Sequence, residues 1–241
     1  LEQDGGVHIC LSEKEFVDRK AQLEILYSHQ NGKFKYEMLD RKALLDIQPG
    51  LGSDVVGGSW CPHDGHVNPL YLLRSFHNCF LKRNGQLLHD AEVFDINHGE
   101  GVFDVFSRKG QFQAPCLVLA AGLGNRKLAP LIGLKQPVRP QKGQILVTQK
   151  IDRLIDVPMT LLRQTAEGSV MIGDSKEEVG FDTSSSIDIM AQIAVRARRT
   201  LPVLEKQQII RSWAALRVMS PDGYPMYDQS ESCPGGFAIT C

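Results

Sequence analysis

Cys116-Leu-Val-Leu-Ala-Ala-Gly-Leu-Gly-Asn125 changes physical character within a few residues. The apolar run Leu117–Leu119 reads as a buried strand. Ala120, Ala121 and Gly122 follow with almost no side-chain bulk, so another backbone or a flat ligand can approach closely. The next run, Arg126-Lys-Leu-Ala-Pro-Leu-Ile132, opens a helix on this reading, and strand, Gly-x-Gly, helix is the order of a site whose phosphates face a helix N-terminus. Two tests of a self-sufficient dinucleotide fingerprint fail: Lys127 stands where a third glycine belongs, and the first acid downstream is Asp152, past the ribose-binding distance. The stretch is read as a wall touching a ligand held mainly by other residues.

Upstream, the period of two over residues 86–119 predicts strands at 87–89, 91–96, 102–106 and 112–119, a β-meander feeding this wall. Ahead of it, Asn68 as N-cap and Pro69 as first helical residue predict a helix to about Arg83, with Leu70, Leu73, Phe76 and Phe80 on one face and Asn84-Gly85 as its left-handed stop. Nearer the start, residues 6–10 form a strand, and Ser12 and Glu15 have capping-box spacing for a helix turning Phe16, Leu23, Leu26 and Tyr27 inward. A further short helix starts at Arg41. The glycine-rich residues 51–59 show no period and mark a boundary between lobes.

Downstream, a strand at 144–147 and a hairpin turning at Ala166-Glu-Gly168 suit an antiparallel sheet. Residues 184–200 form a second amphipathic helix with Ile189, Ile193 and Ala197 on one face, arginines in the last turn and Pro202 beyond its end. A strand and the turn Ser220-Pro-Asp-Gly223 occupy the tail.

With 241 residues, 42% of them hydrophobic, the chain can bury one large core or two modest ones. A formal net charge of -1 without clustered basic runs excludes an electrostatic nucleic-acid footprint, and no apolar stretch reaches membrane-spanning length. Small molecules are the expected partners and the cytoplasm the expected location. Six scattered cysteines without a CxxC pair are expected as reduced thiols. The missing initiating Met and the terminal run Phe237-Ala-Ile-Thr-Cys241, which reads as a strand cut short, suit a piece of a longer protein.

Other chemistry is thin. Cys61, His63 and His66 lack a second ligand pair, so no metal is assigned. Ser175 has no nucleophile elbow or local partner, and no catalytic acid, base or nucleophile is assigned. Arg217 differs. It follows Trp213-Ala-Ala-Leu216, an apolar setting in which a permanently charged guanidinium needs an anion, either a structural acid such as Asp222 or Asp228 or a carboxylate ligand.

Three pieces taken together resemble the D-amino-acid-oxidase/glycine-oxidase family of FAD-dependent oxidoreductases. They are Asp64-Gly-His-Val-Asn-Pro69, Val118-Leu-Ala-Ala-Gly122 with Pro137-Val-Arg-Pro-Gln-Lys-Gly-Gln144, and Trp213-Ala-Ala-Leu-Arg217 with Pro221-Asp-Gly-Tyr-Pro225. The wording around Trp60, Gly122 and Trp213 is most similar to the opine-oxidase and hydrogen-cyanide-synthase type of subunit.

The resemblance implies an α+β (mixed α/β) fold: an antiparallel-sheet substrate domain interleaved with part of an FAD-binding domain. It assigns residues 1–56 and 136–225 to the substrate domain, 57–135 to the FAD domain and 226–241 to the start of a return to it. It also implies that Val93 contacts the adenosine end of FAD through its backbone, that Ala120, Ala121 and Gly122 lie against the cofactor, and that Arg217 holds the substrate carboxylate. The substrate it implies is an amino acid or opine, oxidised at its CH–NH bond, with partner subunits of a hetero-oligomer in prospect. Three departures qualify it, one being that the His-Ser-Gly segment expected straight after Cys241, beside the flavin ring, does not occur in these residues. The amino-terminal Gly-x-Gly-x-x-Gly unit does not occur in these residues, so the isolated piece is expected to bind FAD weakly and to be inactive. Leu161 or Leu162 falls where glycine oxidases place a substrate-contacting tyrosine. The alternatives are a non-catalytic interaction domain and, within the enzyme class, a D-amino-acid dehydrogenase.

Overall fold

The computed structural model describes residues 3–173 and 175–240. In chain order the elements are β1 (Gly6–Cys10), α1 (Glu13–His29), β2 (Glu37–Asp40), α2 (Arg41–Ile47), β3 (Gly57–Cys61), α3 (Pro69–Lys82), β4 (Val93–Gly99), β5 (Val102–Ser107), β6 (Gly110–Ala114), β7 (Leu117–Leu119), α4 (Asn125–Leu128), β8 (Arg139–Lys150), β9 (Leu162–Gln164), β10 (Ser169–Ile172), α5 (Ile187–Thr200), β11 (Ile209–Met219), β12 (Met226–Gln229) and β13 (Gly236–Thr240). The mixed α and β content with mainly antiparallel sheets is the fold class that the sequence implied.

Contacts divide the chain into two units. The first comprises residues 1–76, 143–175 and 184–214. Here β1 and β2 flank β3 in an antiparallel sheet, and the β9–β10 hairpin continues onto β8. Val7 ties the two together, donating its N–H to Pro158 and accepting that of Thr160. Ile9, Leu44, Leu146, Leu162, Ile172, Ile193 and Leu201 share one buried core.

Local chemistry explains its helices. Ser12 Oγ accepts the Glu15 N–H at 3.2 Å, and Glu15 Oε2 reaches back to the Leu11 N–H at 2.9 Å. On α1 only Leu23 is buried; Phe16 and Leu26 are half-buried and Tyr27 is exposed, its ring edge-on to Tyr36. The inward face of α1 is narrower than the apolar spacing indicated. On α5, Ile193 and Ala197 are buried as expected, and its arginines pair with acids rather than only with the helix dipole: Arg196 grips Glu15 through two bonds of 2.9 Å, and Arg199 meets Asp54 at 2.6 Å. Residues 57–59, the end of the stretch expected as an aperiodic boundary, open the central strand β3. Its glycines allow that: a Cβ on Gly58 would stand 2.1 Å from the His8 carbonyl oxygen.

The second unit comprises residues 77–142, 176–183 and 215–241. β4, β5 and β6 form an antiparallel meander, but residues 87–89 stay outside it. The expected strand 112–119 is two strands broken at Pro115 and Cys116; β6 pairs with β5, whereas β7 pairs in parallel with β13. A proline donates no ladder hydrogen bond, and the break lets the chain change sheets. Ile96, Phe103, Leu119, Ile132 and Ala238 form this unit's core.

α3 begins and ends where the sequence placed it: Asn68 Oδ1 caps Leu70 N at 3.0 Å, and Asn84 takes φ 62°. Its apolar row is not covered, Leu70, Leu73, Phe76 and Phe80 all being exposed. No helix among the described residues is long and apolar enough to cross a membrane.

Candidate functional site

The wall that follows β7 is built by one buried amide. Asn125 is fully buried; its Oδ1 accepts the Ala121 N–H at 3.0 Å, and its Nδ2 donates to the carbonyls of Leu119 at 3.0 Å and Ile239 at 3.2 Å and to the Thr240 hydroxyl. Three segments, the end of β7, the turn after it and the end of β13, are thereby held by one side chain. Sequence reasoning missed this role, whose signal is a lone amide in a run of apolar and small residues.

The turn stays accessible. Ala120 and Ala121 are exposed, and Gly122 has φ 56°, a left-handed conformation that side-chain-bearing residues adopt at a cost. The helix expected after it is not formed as one element. Residues 122–132 coil as two short 3-10 turns around the four-residue α4, whose N-cap Gly124 makes no side-chain cap bond. So short an element supplies no dipole to hold a phosphate, and Pro130 and Gly133 end it; the helix N-terminus reading is corrected.

Val93 opens β4 opposite Ser107, ahead of an irregular register step, and packs half-buried against the core that contains Leu119. Val93 therefore packs on the same hydrophobic cluster as Leu119, the residue before the turn. Arg217 lies on β11, half-buried, with Nη1 at 3.5 Å from the Lys142 carbonyl. Asp222 Oδ1 accepts the Tyr224 N–H at 3.0 Å and the Ser220 hydroxyl at 3.2 Å, which hold its carboxyl below the usual range, and Asp228 bonds the Gln229 N–H. The strand residue after Arg217 meets the wall: a Cβ on Gly122 would sit 3.4 Å from Val218 Cγ2.

Beside Arg217, Lys142 is 4% exposed, with Nζ at 2.8 Å from Asp182 and 3.3 Å from Glu177. These carboxylates, Asp182 foremost, hold the ammonium above its usual pKa despite burial. Lys142 also exchanges backbone hydrogen bonds with Glu177, so this cation anchors the segment 176–183 to β8. No group of metal ligands forms among the described residues, and Cys61, His63 and His66 do not assemble into one. Ser175 Oγ accepts the Gln144 N–H at 2.9 Å, a structural use.

A family model described as DAO, FAD dependent oxidoreductase, matches residues 1–241. The chain belongs to the DAO family of FAD-dependent oxidoreductases. It is 39% identical over 242 residues to an opine oxidase subunit of Agrobacterium tumefaciens (strain Ach5), covering 100% of this chain and 65% of that protein. It is 29% identical over 195 residues to the hydrogen cyanide synthase subunit HcnC of Pseudomonas aeruginosa, covering 78% of this chain and 47% of that one. Its fold is similar to that of glycine oxidase from Geobacillus kaustophilus, with a TM-score of 0.88 at 22% identity over 100% of this chain and 65% of that structure. The chain thus spans 65% of the length of the opine oxidase protein it matches.

The residues present fit the family's cofactor. Two exposed methyl side chains and a left-handed glycine leave the wall flat, and the buried Asn125 fixes its backbone. These are the properties of a surface that a flat ring system touches.

Proposed function

We propose that the protein containing this chain is an FAD-dependent oxidase or dehydrogenase acting on the CH–NH bond of an amino acid or opine. The observation that supports it best is the match of the family model over residues 1–241, which carries Arg217 and the Ala120–Gly122 turn together. Residues 57–135 with 226–241 are assigned to FAD and residues 1–56 with 136–225 to the substrate.

Bound FAD supplies the acceptor for a hydride from the substrate's α-carbon as the amine becomes an imine. Arg217 takes the substrate carboxylate in its planar guanidinium fork, which fixes how the α-carbon is presented. Ala120, Ala121 and Gly122 give the cofactor a close wall, and Val93 contributes backbone. Lys142 is paired with two carboxylates and is therefore assigned to positioning β8, not to proton transfer. The names of the opine oxidase and hydrogen cyanide synthase relatives, each that of one subunit of its enzyme, support work alongside partner chains.

Flavin content tests the reading. The full-length protein, purified and denatured, should release FAD in near-equal amount to polypeptide. A colourless protein that releases none overturns it.

A further inference from the structure

The β9–β10 hairpin presents two unlike faces. Leu162 and Ile172 enter the core, while Arg163 and its cross-strand partner Met171 lie on the opposite face. With His66, Ile145, Met159 and Leu161 they line a cavity of about 310 Å³. Most of that lining is apolar.

Arg163 is half-buried there, and none of its hydrogen-bond partners is a carboxylate. Nη1 donates to the Val67 carbonyl at 3.1 Å and lies 3.2 Å from His66 Nδ1, and Nη2 meets the Met171 sulfur at 3.1 Å. No carboxylate pairs with it among the described residues, whereas Arg108, Arg139, Arg153, Arg196, Arg198 and Arg199 each pair with an acid. A guanidinium stays charged at any physiological pH, and apolar walls reduce the screening of that charge. Nη1 is occupied, a thioether is a weak acceptor, and Nε has no acceptor among the described residues. The Nε–Nη2 edge that remains is one that grips a carboxylate through two parallel bonds. His66 and Val67 hold the other edge, so the fork is set in place before any ligand arrives.

We propose that this cavity is a carboxylate-binding site, with Arg163 as the anion holder and Ile145, Leu161 and Met171 as the seat for the ligand's aliphatic body. The ligand class is a small organic acid with an apolar chain. Every residue that lines the cavity belongs to the first unit.

Calorimetric titration of the full-length protein with pentanoate and with its neutral amide, pentanamide, tests it. An Arg217→Gln background removes the carboxylate site already assigned. Pentanoate should bind at least about tenfold more tightly than the amide, the range expected of a charge-assisted pair. Arg163→Gln should abolish that preference, and Arg163→Lys, which keeps the charge and loses the fork, should keep only part of it. Equal affinity for acid and amide overturns the proposal, as does an undiminished preference in an Arg163→Gln protein that unfolds at the original temperature. If Arg163→Gln fails to fold, the acid-to-amide ratio and the lysine variant still decide. In the Arg217-containing protein, displacement of pentanoate by an oxidisable amino acid would identify the natural ligand as substrate, and simultaneous binding would identify a separate organic acid.

Discussion

The Asn125 side-chain carbonyl accepts the Ala121 backbone N–H at 3.0 Å, so a fully buried amide sets the shape of an exposed turn. Replacement by alanine leaves that N–H and the Leu119 and Ile239 carbonyls without this partner, at a cost of about 3 kcal/mol. Asn125→Ala should lower the thermal midpoint and increase FAD loss on dilution. An unchanged midpoint would show that water or a neighbouring group takes over the role.

Gly122 tests the wall from its other side. A Cβ there meets only an ordinary 3.4 Å contact with Val218, so the cost of Gly122→Ala comes from the left-handed φ of 56°, about 1 kcal/mol. Gly122→Val carries the same backbone cost and adds bulk toward the cofactor. FAD affinity, measured by flavin fluorescence, should fall further in the valine variant than in the alanine one, and equal affinities would argue against close approach at this residue.

The pairing of Glu15 with Arg196 makes stability depend on acidity. The Arg196 hydrogen bonds, foremost, lower the Glu15 carboxyl from 4.5 to about 2. A depressed folded-state pKa adds stability that is present above the unfolded value and is lost as pH falls from about 4.5 toward about 2. Both side chains are about one-third exposed, so solvent screening limits the contribution to about 1 kcal/mol. Urea midpoints across this range should fall less steeply for Glu15→Gln than for the unaltered protein; parallel curves would show that the pair contributes nothing.

Local signals were legible where the chain itself answers them. Asn68-Pro69 and Asn84-Gly85 bounded α3, Ser12 with Glu15 started α1, and Ala166-Glu-Gly168 turned the β9–β10 hairpin. Partners distant in sequence were not legible. Nothing near β7 indicates that its parallel neighbour is β13, and Glu15 and Arg196 lie 181 positions apart. Periodicity likewise marked an apolar face on α3 without saying what covers it. At the site, the small residues of the wall were visible, and the apolar run before Arg217 singled that arginine out. Asn125, which holds the wall, and the carboxylates around Lys142 became apparent only when the strands were assembled.

The most direct measurement is anaerobic reduction of the flavin in the full-length protein by amino acids and opines, with and without Arg217→Gln. Bleaching of the oxidised flavin's visible absorbance by a carboxylate-bearing amine is the expected result, with FAD retained in the variant but bleaching slowed about a hundredfold or more at low substrate concentration. Bleaching at the unaltered rate in Arg217→Gln, or none by any such amine in the flavin-loaded protein, would contradict the account.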